Sequence, residues 1–246
     1  LRGWSLAILS ALEPTISTEA AQRGNGAVTE FIDYLKQLVA NRRRHPGNPK
    51  RDVLTRLIQG EAGGERLSEK ELLHNCIFLL NAGHETTTNL IGNALVALAQ
   101  YPEEKQKLID APHLVESAVE EVLRFESSNQ FGNRITTQST ELAGVPMPEG
   151  TRVTLCIGAA NRDSAQFDEP DRMNIARSPN RHLAFGGGIH QCIGMRLARL
   201  EAGVALTRFL ARFPGYAMSG APVRAGRARF RGFARIACRL SQSGER

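Results

Sequence analysis

Three stretches of this chain repeat apolar residues at helical spacing. The longest opens on Leu67-Ser68-Glu69-Lys70-Glu71-Leu72, a capping box in which Ser68 is the N-cap, Glu71 stands three residues on, and Leu67 can staple onto Leu72. Helical composition then continues to Gln100, where Tyr101-Pro102 stops it, which predicts a rod of about 30 residues and roughly 45 Å. A second helix is predicted between His113 and Phe125, with Val115, Ala118, Val119 and Val122 on one face. The third follows Cys192: Ile193, Leu197, Leu200 and Val204, then Leu206, Leu210 and Phe213, are expected to form one core-facing stripe, with Arg196, Arg199 and Arg208 elsewhere. Near the start, Trp4 to Leu12 reads as a helix ended by Pro14. After the turn Pro148-Glu149-Gly150 the period changes to two, and Val153, Leu155 and Ile157 alternate with polar or small residues. The expected fold is mostly α (α+β), with long helices and a small β-region.

Composition narrows the class. At 246 residues and 41% hydrophobic the chain can bury about 70% of its unfolded surface as one globular unit. No run of 18 apolar residues occurs, and Leu1-Arg2-Gly3-Trp4 carries neither a basic start before an apolar run nor a cleavage site, so a soluble, cytoplasmic protein without a membrane span is expected. Because Leu1 stands inside a helical pattern and is not Met, an upstream segment is also expected. The net charge of +6 comes from scattered groups such as Arg42-Arg43-Arg44 and the stretch Arg224 to Arg235. With 6% aromatic residues and no nucleic-acid motif, the charge points to an acidic protein partner or plain solvation, not to nucleic acid. Cys76, Cys156, Cys192 and Cys238 are far apart without a C-x-x-C pair, which indicates neither a zinc site nor a disulfide framework.

Two stretches carry candidate chemistry. In Phe185-Gly186-Gly187-Gly188-Ile189-His190-Gln191-Cys192-Ile193-Gly194, one cysteine lies between a glycine-rich loop and a helix start. Unpaired N–H groups and the positive end of the helix dipole favour a negative sulfur there, and a thiolate ligates metals. Consecutive glycines let the backbone pass close to a flat ligand. An arbitrary cysteine is more often a small buried hydrophobe, and it is the surrounding loop that turns the reading of Cys192 toward a ligand. Within the long helix, Ala82-Gly83-His84-Glu85-Thr86-Thr87-Thr88 weakens helix propensity between two apolar segments. Close helix packing would explain it; so would a groove over a flat cofactor, with Glu85 and the Thr86 hydroxyl interrupting the helical ladder and holding water. Glu121 and Arg124 lie three apart, a spacing ordinary for exposed pairs, and Glu120 would serve Arg124 as well.

These motifs together resemble the haem-thiolate monooxygenases, the cytochrome P450 family. Phe185, Gly186, His190, Cys192 and Gly194 resemble its cysteine loop; Ala82, Gly83, Glu85 and Thr86 its acid–alcohol motif; and Glu121-Val122-Leu123-Arg124 its E-x-x-R motif. They occur in the family's order, and the resemblance extends over essentially the whole chain. It implies Cys192 as the proximal ligand of haem b (heme b, iron protoporphyrin IX), proton delivery by Glu85 and positioning of dioxygen by Thr86. The Glu121–Arg124 pair is implied to lie buried behind the cysteine loop, with Arg172 or Arg177 as third member, while Met173 replaces the usual phenylalanine. Phe131-Gly132-Asn133-Arg134-Ile135 resembles the strand whose arginine pairs with a haem propionate, and His182 and His190 match positions at the same edge; without the resemblance, Arg134 reads equally as an exposed strand residue and His182 as a loop residue.

The whole is then one partial domain, residues 1–246, of an N-terminally truncated P450-like helical fold. The family's N-terminal part, with further propionate contacts, the loop that roofs the pocket and part of the sheet, is missing. Glu126-Ser127-Ser128-Asn129-Gln130 also lacks the proline usual in the pocket wall. A bacterial-type, monomeric monooxygenase is implied, drawing electrons from a ferredoxin or flavodoxin that docks near Arg196 and Arg199, and oxidising a small organic substrate. The competing readings are a peroxide-using peroxygenase, against which the Glu85-Thr86 pair argues, and a non-catalytic remnant or binding module.

Overall fold

The computed structural model of the chain describes residues 1–60 and 66–241. Its contacts gather into two units, Leu1–Glu85 and Thr86–Arg246, which part inside one continuous helix.

The first unit holds α1 (Arg2–Ser10), α2 (Thr18–Arg44), α3 (Val53–Gln59) and the beginning of α4 (Glu69–Gln100). Ser17 caps α2 by accepting a hydrogen bond from the Ala20 N–H at 3.2 Å. Ala27, Phe31, Leu35 and Val39 recur every fourth residue along α2, and this buried face packs with Ile8 of α1 and Leu72, Leu73 and Ile77 of α4. Full burial stabilises by about 1.5–3 kcal/mol for each large apolar side chain. Gly24 is required where α1 meets α2, because a Cβ there would lie 2.5 Å from Ala11 Cβ. The capping box forms as its sequence predicts: Ser68 N–H donates to Glu71 Oε2 at 2.8 Å, and Glu71 N–H donates to Ser68 Oγ at 3.3 Å. Helix α4 ends before Tyr101-Pro102, and Pro102 opens α5 (Pro102–Asp110).

In the second unit the remainder of α4 packs with α5, α6 (Val115–Phe125) and α8 (Met195–Arg212). Leu90, Ala94 and Leu98 of α4, Val119 and Val122 of α6, and Leu206 of α8 belong to one core, each at most 2% exposed. Tyr216 closes it from the chain beyond α8, donating its hydroxyl to Leu95 O at 2.8 Å. The short α7 (Ile157–Ala160) begins at Ile157, so the strand expected to run through that residue ends at Cys156.

Among the described residues the β-region is four separate antiparallel pairs and an isolated bridge between Asn129 and Phe230. β1 (Phe131–Ile135) pairs β4 (Arg152–Cys156) with Arg134 opposite Val153. β2 (Thr140–Leu142) and β3 (Val145–Met147) form a hairpin through Ala143 and Gly144, both at positive φ (50° and 80°), the backbone that a two-residue turn of this hand needs. β5 (Ala217–Met218) pairs β8 (Cys238–Arg239), and β6 (Val223–Arg224) pairs β7 (Phe233–Arg235). Among the described residues no helix is long and apolar enough to cross a membrane.

One expectation fails in α8. Ala202, Leu206 and Leu210 are buried, whereas Ile193, Leu197, Leu200 and Val204 are 84%, 57%, 62% and 53% exposed. At 100° per residue Leu197, Leu200 and Val204 fall within roughly 60° of arc, on the side opposite the buried set, and Ile193 is exposed just before the helix. The apolar positions thus form two faces, and only one meets the core.

Candidate functional site

The chain from His182 to Gly194 approaches α8 as a series of tight turns. Gly186 N–H donates to Leu183 O at 2.8 Å, and Cys192 N–H donates to Phe185 O at 2.9 Å, closing a loop around the three glycines. Gly186 and Gly188 sit at φ of 65° and 62°, a region costly for other residues. A Cβ at Gly187 or Gly188 would meet nothing within 4 Å, and one at Gly194 would come 3.9 Å from Cys192 Sγ. The glycines therefore leave the face beside the sulfur clear.

Helix α8 begins at Met195, three residues beyond Cys192, and Met195 N–H points back to Cys192 O at 3.4 Å. Cys192 is exposed, not a buried hydrophobe. Exposed apolar side chains stand on the same loop and helix, with Ile189 97% and Ile193 84% exposed and Leu197 and Leu200 exposed on α8, and the Arg199 charge also reaches Cys192. His190 stands exposed on the same loop, and Arg134 stands exposed on β1, donating to Asn133 O at 2.8 Å.

Behind the loop lies a buried ion cluster. Glu121 and Arg124 are both fully buried, joined by Arg124 Nε to Glu121 Oε2 and Nη2 to Oε1, each 2.8 Å. Glu121 also accepts from Asn174 N–H at 2.9 Å, Asn180 Nδ2 at 3.0 Å and Arg177 Nε at 3.3 Å. The third cation is thus Arg177. Arg172 contributes its carbonyl, which accepts from Arg124 Nη2 at 3.2 Å, while its exposed side chain turns to Glu169. Arg124 further donates to Asn161 O and Pro170 O at 2.9 and 2.8 Å, so every charge in the cluster is met. Met173 packs into the core at 1% exposure, filling the position assigned to an aromatic.

Two residues that the sequence left unassigned connect this cluster to the cysteine loop. Asn161, wholly buried, accepts from Leu183 N–H through Oδ1 at 2.7 Å. Glu120 accepts from Arg199 Nε at 2.6 Å and Nη2 at 2.9 Å, and faces His182 Nε2 at 3.1 Å. Burial by itself would raise the Glu120 carboxyl, but hydrogen bonds from Arg199 and His182 and the Arg199 charge outweigh it and hold it at about 2. The paired acidic residues Glu120-Glu121 were the only sequence signal for this contact. His182, expected at the haem edge, has its side chain 3% exposed and both ring nitrogens engaged, since Ala184 N–H donates to Nδ1 at 3.2 Å. Arg199, expected on a docking face, turns its guanidinium inward; Arg196 remains exposed.

In the first unit Ala82 and Gly83 are exposed, and a Cβ at Gly83 would meet nothing within 4 Å. Glu85 is buried, and Thr86, the first residue of the second unit, is half-buried. α4 is helical from Ala82 through Thr88.

A glycine-cleared, exposed cysteine beside apolar side chains and a buried carboxylate–guanidinium cluster stand together in a mostly helical fold. The chain belongs to the cytochrome P450 family: the family model described as Cytochrome P450 matches residues 5–218. It is 41% identical over 214 residues to the biotin biosynthesis cytochrome P450 of Bacillus subtilis, an alignment covering 87% of this chain and 53% of that protein. It is 40% identical over 222 residues to cytochrome P450 107B1 of Saccharopolyspora erythraea, covering 90% and 52%. A crystal structure of P450BioI in complex with an acyl carrier protein ligated to hexadec-9Z-enoic acid superposes with TM-score 0.92 at 37% identity, over 97% of this chain and 60% of that one. The chain therefore spans about half the length of these curated relatives.

The family implies a haem, and the residues present fit one. Among the described residues no three His, Cys, Asp or Glu side chains gather as metal ligands. A porphyrin brings its own four nitrogens, so a single protein sulfur suffices as ligand. Exposed apolar side chains around an accessible soft donor suit a flat apolar macrocycle, and exposed Arg134 and His190 suit its carboxylates.

Proposed function

We propose that this chain is the thiolate-bearing part of a cytoplasmic haem monooxygenase that inserts one atom of dioxygen into a small organic substrate. The exposed Cys192 thiol, at the end of a loop kept open by glycines and flanked by Ile189 and Ile193, carries this reading. A haem seated there supplies the redox chemistry, with electrons delivered by a ferredoxin or flavodoxin. Cys192 would hold its iron as a thiolate, a ligand that would supply the electron donation O–O cleavage chemistry calls for. Phe185, Gly186 and Gly194 shape the loop beside the sulfur, and Arg134 and His190 hold the propionates. Ala82 and Gly83 present a helix surface without bulk. Glu85 delivers protons, and the Thr86 hydroxyl orients the oxygen substrate by hydrogen bonding. Exposed Arg196, in the first turn of α8 and four residues after Cys192, offers a cation to an acidic electron donor.

The complex of P450BioI with an acyl carrier protein ligated to hexadec-9Z-enoic acid supports an acyl-type substrate. The deciding experiment adds haem to the purified chain and records the reduced carbon monoxide spectrum. A strongly red-shifted band that disappears in Cys192→Ala is expected. A parent chain that takes up no haem would overturn the reading and leave a binding module in its place.

A further inference from the structure

Phe185, whose carbonyl accepts the Cys192 N–H, is gripped from two sides. The Arg199 guanidinium lies over its ring, 4.7 Å from the centroid, and the His182 ring stands 6.0 Å away at 53°. Both partners converge on Glu120, through the bidentate Arg199 fork at 2.6 and 2.9 Å and the His182 contact at 3.1 Å. Because His182 Nδ1 accepts the Ala184 N–H, the ring proton belongs on Nε2 and is donated to Glu120. Neither ring nitrogen is left over for a haem carboxylate. Glu120 is fixed in its turn, since its neighbour Glu121 is locked by Arg124 inside α6.

We propose that Glu120 is a positioning residue for the thiolate loop: through His182 and Arg199 it clamps Phe185, and the Phe185 carbonyl sets the backbone that presents Cys192. The purpose of the clamp rests on the haem-thiolate reading, whereas its mechanics do not. An ordinary surface ion pair would leave the loop unmoved when broken. This carboxylate, three-quarters shielded, joins two elements that contact one aromatic ring, so its loss frees both at once.

The test compares the full chain with Glu120→Gln, which keeps the size and removes the charge. Without haem, amide hydrogen exchange at Gly186 and Cys192 is expected to quicken roughly ten- to hundredfold, the effect of losing charged hydrogen bonds, while Val122 and Leu123 in α6 keep their protection. In the haem-loaded chain, a smaller fraction of the reduced carbon monoxide complex is expected to show the thiolate band. Unchanged exchange at Gly186 and Cys192, or equal quickening throughout α6, would overturn the proposal. Should Glu120→Gln fail to fold, Arg199→Lys, which keeps the charge but loses the fork, decides by the same comparison. If the exchange contrast appears but the parent gives no thiolate band, the clamp stands and the haem reading falls; a thiolate band without the contrast means the reverse.

Discussion

Glu120 and Glu121 are neighbours in the chain, yet they serve different structures. About 100° apart on α6, one reaches toward α8 and the cysteine loop while the other turns into the core. The E-x-x-R spacing was legible, but which carboxylate meets Arg124 was not, because both lie within reach on a helix surface. Burial decides it: Glu121 is shielded by Asn174, Arg177 and Asn180, residues more than 50 positions away. Removing it leaves Arg124 charged and unpaired in the interior, so Glu121→Ala is expected to lose about 3–5 kcal/mol of stability in a denaturant melt. Glu120 answers to pH. Its carboxyl is held at about 2 against an ordinary 4.5, so its stabilising effect is present above pH 4.5 and is lost as pH falls toward 2. An acid titration followed by circular dichroism should show a loss on the order of 2–3 kcal/mol across that window, absent in Glu120→Gln.

Local signals fixed the elements where local physics governs them. The capping box starts α4 and Tyr101-Pro102 ends it, since both act within one turn of the chain. α8 shows where such signals stop. A helical repeat counts apolar positions without saying what covers them, and its residues divide between a buried face through Leu206 and an open one through Leu197. The acid–alcohol stretch of α4 is legible in composition, and its weak helix formers lie within the helix all the same. Gly83 is then a site where helix stability has been given up. No atom crowds a Cβ there, so Gly83→Ala is expected to raise the thermal stability of the haem-free chain by about 0.5–1 kcal/mol. If the glycine serves close approach of a flat ligand, the same variant retains less haem in a dialysis comparison.

On the scale of the molecule, the core of the second unit was foreshadowed by helical patterning, whereas α2, whose face makes most of the first unit's core, was not, and the four strand pairs among the described residues were legible only as a single small sheet. Pairing of two- and three-residue strands depends on partners up to 20 or more residues away, and period-two alternation is too short to register there. The open face of α8 at Leu197, Leu200 and Val204, with Ile189 and Ile193 exposed on the loop before it, exceeds the scattered apolar residues of an ordinary surface. An environment-sensitive dye such as ANS is expected to fluoresce on the chain, to dim when haem is added, and to bind markedly less to Leu197→Glu. Undiminished fluorescence after saturating haem would detach this face from the cofactor. The same stripe constrains anyone who would improve the chain's behaviour in water. Polar replacements along it gain solubility and strip the lining beside the sulfur, so expression yield and cofactor retention should move in opposite directions across a set of such variants.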